Sequence, residues 1–137
     1  MTASLSTQDA LIAVMIATSA ADQNQTTAEL LTIEQEIDSL PAFSEYDKDR
    51  IPTVSQMVMD LFEEEDGLDA LLGLVNEALP DRFNETAYAL ACDIAAADGK
   101  VSMTELNFLE MLRHDLRVGR LAAAAIERGA RARHQRL

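Results

Sequence analysis

The chain has no tryptophan, four Phe, two Tyr and a single cysteine in 137 residues. The lone thiol, Cys92, excludes an intrachain disulfide and a cysteine-cluster metal site, and it predicts a reducing, cytoplasmic setting. With so few aromatics the core has to be assembled from Ala, Leu, Ile, Val and Met, a composition that favours closely packed helices. Basic residues are scarce too, 11 against 24 acidic ones for a net charge of −13. Such a balance repels nucleic acid and anionic membranes and attracts divalent cations and basic protein surfaces. The longest apolar run, Leu11 to Ala17, is far short of the roughly 20 residues that cross a bilayer. No basic stretch precedes it, so neither membrane insertion nor a signal peptide is expected.

The length predicts one domain over residues 1–137 with a self-sufficient core. Charge is unevenly spread along it. Residues 1–112 carry 4 basic residues against 22 acids, whereas residues 113–137 carry seven Arg against Asp115 and Glu127. Residues 117–137 are thus an Arg-rich helix or tail, able to lie on the chain's own acidic body or on an acidic partner.

No long segment alternates apolar and polar residues as a half-buried strand would, and helix signals dominate. A first helix is expected from Ser6 to Ala21, with its apolar stripe at Leu11, Ile12, Met15, Ile16 and Ser19. Thr26 and Glu29 read as a capping box opening a second helix to Ser39, and a short helix is expected from Ser44 to Arg50. Thr53 and Gln56 read as the box of a third helix, whose stripe is Val54, Met57, Val58, Leu61 and Phe62. Leu68, Leu71, Leu72, Val75 and Leu79 mark the next helix, which stops at Pro80. The helix from Asp81 to Ala97 is apolar on nearly every side and is expected to be the most buried. Ser102 and Glu105 box a helix to Leu116, and an Ala/Arg-rich helix from Val118 to Arg133 ends the chain. The architecture predicted is all-α, a compact bundle of seven to eight helices built from two similar helix-loop-helix halves.

Those halves are visible as an internal repeat. Residues 9–37 slide onto 85–113 without a gap, pairing Ala20-Ala21-Asp22 with Ala96-Ala97-Asp98, Glu29-Leu30 with Glu105-Leu106, and Glu34 with Glu110. Asp98, Gly99, Val101 and Glu105 match the fifth, sixth, eighth and twelfth positions of a calcium-binding loop. The first and third positions are Ile94 and Ala96, which cannot ligate, and the first copy has Gln23 in place of the turn glycine. A standard calcium hand is therefore not expected. Two halves packed about a pseudo-twofold axis would instead gather Asp22, Glu29, Asp98 and Glu105, hard oxygen ligands suited to calcium, magnesium or manganese. At about 100 degrees per residue, Glu105 shares a side with Leu109, Leu112 and Leu116, and Glu29 with Ile33 and Leu40, although Glu36 shares that face. A plainer reading stands beside this one: Glu29 and Glu105 cap Thr26 and Ser102, and Asp22 and Asp98 cap the loop turn. Caps do not explain why Glu34 and Glu110 also repeat.

No catalytic constellation is visible. His114 and His134 are isolated, and Cys92 sits in an apolar helix. The acids Glu63 to Asp66 read as a solvated helix end or, in a sharper reading, a patch for a basic partner.

The stretch from Ala95 to Leu106, with Asp98-Gly99-Lys100-Val101-Ser102 at its centre and Phe108-Leu109-Glu110-Met111-Leu112 after it, resembles the signature of the tellurite-resistance TerB-like family. Similar domains also sit beside J-domains in membrane-anchored co-chaperones. The resemblance covers most of the chain. It implies an all-helical fold with two similar halves, a non-enzymatic role in tellurite or general metal and envelope stress, and a divalent cation on an acidic face. The matching positions are Asp98 and Glu105, with Asp22 and Glu29 as their repeat counterparts. The alternative is a metal-independent interaction module that docks a protein partner such as a membrane-associated stress complex or a chaperone.

Overall fold

The computed structural model describes residues 5–21, 27–97 and 99–137, and the regular elements among them are all helical. Seven α-helices appear: α1 (Thr7–Ala20), α2 (Thr27–Ser39), α3 (Ile51–Phe62), α4 (Gly67–Ala78), α5 (Asn84–Ala96), α6 (Met103–Asp115) and α7 (Arg120–Arg133). Single 3-10 turns occupy Pro41–Phe43, Lys48–Arg50 and Asp81–Phe83.

Two helix starts follow directly from local chemistry. Ser6 accepts the Asp9 amide on its hydroxyl while the Asp9 carboxylate accepts the Ser6 amide, so both orphan donors are satisfied. Ser102 and Glu105 do the same at α6. The box expected at Thr53 and Gln56 is absent. Arg50 stands at the N-cap and Pro52 in the first turn, because the 3-10 turn at Lys48–Arg50 leads straight into α3 three residues early. Gln56 donates to Asp60 instead, at 2.8 Å. The single short helix expected from Ser44 to Arg50 is likewise replaced by separate turns, and Glu45 between them takes a left-handed φ of 62°. The box expected at Thr26 lies outside the described residues.

The repeat survives into three dimensions. α2 at Thr27–Ser39 and α6 at Met103–Asp115 are the same 13 residues long, in the register the sequence repeat sets, and α1 and α5 end at the matched Ala20 and Ala96. The packing is closed under exchange of the halves. α1 packs on α5; α1 meets α2 as α5 meets α6; and α2 meets α5 as α6 meets α1. Burial repeats with it, since Glu29, Thr32 and Ile33 are buried on α2 and Glu105, Phe108 and Leu109 on α6.

α1 departs from the amphipathic stripe expected of it. Every residue from Asp9 to Ala20 is buried, because α1 is surrounded by α2, α3, α4, α5 and α6. It, and not the helix ending at Ala97, is the most enclosed element. Thr18 is accommodated by donating its hydroxyl to the Val14 carbonyl at 2.8 Å. α3 and α4 cover α1 with Val54, Val58, Leu71, Leu72 and Val75, joined by a turn so tight that a Cβ on Gly67 would lie 1.5 Å from the Leu61 carbonyl oxygen. α7 packs on α5 through the buried Ala123 and Ala130, so the Arg-rich segment lies on the chain's own body.

Candidate functional site

Glu29 and Glu105 occupy equivalent places in the first turns of α2 and α6, with 1 % and 2 % of their surface exposed. Burying a carboxylate is costly unless hydrogen bonds or a cation offset the lost hydration. Ser19, from the buried end of α1, donates its hydroxyl to Glu29 Oε1 at 3.5 Å. On α6, Glu105 Oε1 accepts the Ser102 amide at 3.3 Å, and the Glu105 amide donates to the Ser102 hydroxyl at 3.1 Å. The capping role is thus realised at Glu105. Gly99, preceding it, has φ of +79°, the left-handed turn for which the sequence supplies a glycine. Asp22 and Asp98, the other two members of the expected cation site, lie outside the described residues. Among the described residues no group of three or more His, Cys, Asp or Glu is arranged to hold a metal ion, so a complete shell at either loop would need Asp22 or Asp98.

The other repeated pair points away from this chemistry. Glu34 and Glu110 are both exposed. Glu110 accepts from Arg113 and contacts His114 Nε2, each at 3.0 Å, and these contacts hold its carboxyl below the usual range.

Two buried acids have partners far away in sequence. Asp9 accepts from Tyr46 Oη at 2.9 Å and from Arg50 Nε and Nη2 at 3.1 and 2.7 Å. Burial raises its pKa, but the hydrogen bonds from Arg50, Tyr46 and Ser6 outweigh burial and hold it below the ordinary value. Asp93 is 6 % exposed, faces Arg133 Nη2 at 2.5 Å and lies 3.6 Å from His134 Nε2. Glu36 on α2 faces the same group, and burial together with the Asp93 carboxylate pushes its pKa up to about 7. Sequence reasoning gave Asp93 no role. The available signal was an acid within the apolar run of α5, where the first repeat has Ala17.

Cys92 and Tyr88 are held toward their neutral forms. Cys92 is buried and its thiol is pushed up to about 12, chiefly by burial. Tyr88 donates to Glu127 Oε2 at 2.6 Å, and burial and that carboxylate raise its pKa. Both line a cleft of about 360 Å³ among α5, α6 and α7.

A family model described as "Tellurite resistance protein TerB" matches residues 8–128, from the first turn of α1 to the middle of α7. No curated protein and no solved structure matches the chain.

Proposed function

The chain belongs to the tellurite resistance protein TerB family, and on that premise we propose a non-enzymatic protein that binds a divalent cation in the tellurite or metal stress response. The observation that carries this reading is the pair Glu29 and Glu105, buried acids at matched positions of two equivalent helix starts. Asp22 and Asp98 precede them by the same seven residues and complete the ligand set we assign. Carboxylate and backbone oxygens suit calcium, magnesium or manganese, which is attracted as well by a net charge of −13. The cation would be structural or sensory: its charge offsets the cost of the buried carboxylates and ties each loop to the helix that follows. A cytoplasmic setting and protein partners in a stress complex belong to the same proposal, with the single buried thiol in its support. No helix among the described residues is long and apolar enough to cross a membrane.

The test is a thermal melt of chelator-stripped protein with millimolar calcium, magnesium, manganese or zinc. A selective upward shift that Asp98→Asn with Glu105→Gln removes supports the proposal. No shift with any ion would leave the carboxylates as helix caps and favour the metal-independent interaction module.

A further inference from the structure

The four consecutive acids Glu63, Glu64, Glu65 and Asp66 form the turn between α3 and α4, and all four are exposed. Ion pairs of the chain's arginines and lysines form at other acids: Lys48 with Asp38, Arg50 with Asp9, Arg113 with Glu110, Arg117 with Asp81 and Arg133 with Asp93. None of these pairs involves the turn. Beside it, between the turn and α6, runs a cleft of about 400 Å³. Phe62, Leu68, the buried Phe108 and Met111, 41 % exposed, give it an apolar lining, and Glu64 and Glu65 line it beside them.

We infer that this cleft docks a basic amphipathic helix of a partner protein, one apolar side chain entering between Phe62 and Met111 while lysine or arginine neighbours meet Glu64 and Glu65. Complementary charge selects the occupant. Nucleic acid and anionic lipid are repelled by the acidic residues, and a bare cation has no use for an apolar lining. Helix-in-groove binding asks for this pairing of a shallow apolar slot and a charged rim, and methionine suits an adaptable lining.

The experiment is fluorescence anisotropy of the full chain, in chelator, with a labelled synthetic helix carrying leucines on one face and lysines and arginines on the other. Saturable binding is expected, weakened about tenfold or more by Glu64→Lys with Glu65→Lys, and comparably by Met111→Glu. The control reversal Glu34→Lys with Glu85→Lys, which changes net charge equally at exposed positions outside the cleft, should change affinity by less than about threefold. Equal losses from both reversals, equal binding of a leucine-free peptide, or no saturable binding each overturn the inference. Sedimentation showing self-association that the Glu64 and Glu65 reversal dissolves would also overturn it, by assigning the cleft to a second copy of the chain.

Discussion

Arg133, in the last turn of α7, places Nη2 2.5 Å from Oδ1 of Asp93, a buried acid near the end of α5. The contact spans 40 residues of sequence and converts a cationic helix end into an anchor on the chain's own body. Removing Arg133 leaves Asp93 buried beside Glu36, whereas removing both partners removes that penalty. With the arginine more than half exposed, Arg133→Ala is expected to cost about 1–2 kcal/mol, and Asp93→Ala with Arg133→Ala less than the sum of the single changes. A urea double-mutant cycle with no coupling would show the pair to be energetically silent.

Glu36 makes stability depend on pH near neutrality. Its carboxyl is pushed up to about 7 from an ordinary 4.5, by burial and by Asp93 and against the opposing effect of Arg133. A raised acid binds its proton more tightly folded than unfolded, so its contribution is lost as pH rises from 4.5 to about 7 and changes no further above that. Glu36→Gln should therefore raise the melting temperature more at about pH 8 than at about pH 5, measured relative to the parent at each pH. An equal change at both pH values would remove Glu36 from the account.

Asp9 works in the opposite direction. Its pKa is held below the ordinary value, so the stability it contributes is present at neutral pH and is lost as pH falls through the folded pKa. Arg50→Ala removes two hydrogen bonds to a buried carboxylate and Tyr46→Phe one, and each is expected to cost about 1–3 kcal/mol at pH 7. The penalty from Arg50→Ala should shrink under acid, which denaturant titration at low pH would measure.

Capping and cation binding separate at Glu105. In chelator, Ser102→Ala should cost about 0.5–2 kcal/mol, because it removes the hydroxyl that accepts the Glu105 amide. Glu105→Gln keeps a carbonyl oxygen for the Ser102 amide and should cost less in chelator, yet lose the cation-induced stabilisation, about 2.7 kcal/mol when the ion stands at about 100 times its Kd. A glutamine variant that still responds fully to the ion would move the ligand set away from Glu105.

Cys92 should be silent in the folded protein. Burial pushes the thiol up to about 12, leaving almost no thiolate at neutral pH. Labelling by a thiol reagent should follow the population of unfolded protein as denaturant is added, and fast labelling of the native chain would contradict the burial of α5.

Much of this architecture is written in short-range chemistry. The boxes at Ser6 and Ser102 involve residues three apart, and α2 and α6 share length and register because one helix-loop-helix pattern occurs twice. The stripe Leu68, Leu71, Leu72, Val75 and Leu79 needs only the helical period to place it on one face. Glu29 and Glu105 are legible for the same reason, since their side of the helix carries Ile33 and Leu109. The readings that failed are instructive. The Thr53 box was displaced by the geometry of the preceding turn, and the stripe assigned to α1 could not reveal that five helices would enclose it on every side.

Helix positions, caps and the doubled unit were thus decided within a few residues of each site, where propensity, period and hydrogen-bond partners are all local. The burial of α1, the pairing of Asp9 with Arg50 and of Asp93 with Arg133, and the cleft between the α3–α4 turn and α6 were decided by packing. The two ion pairs span 41 and 40 residues of chain and α1 packs on helices still farther along it, and the cost of burying a charge can be weighed only once the opposite charge and the surrounding walls are in place.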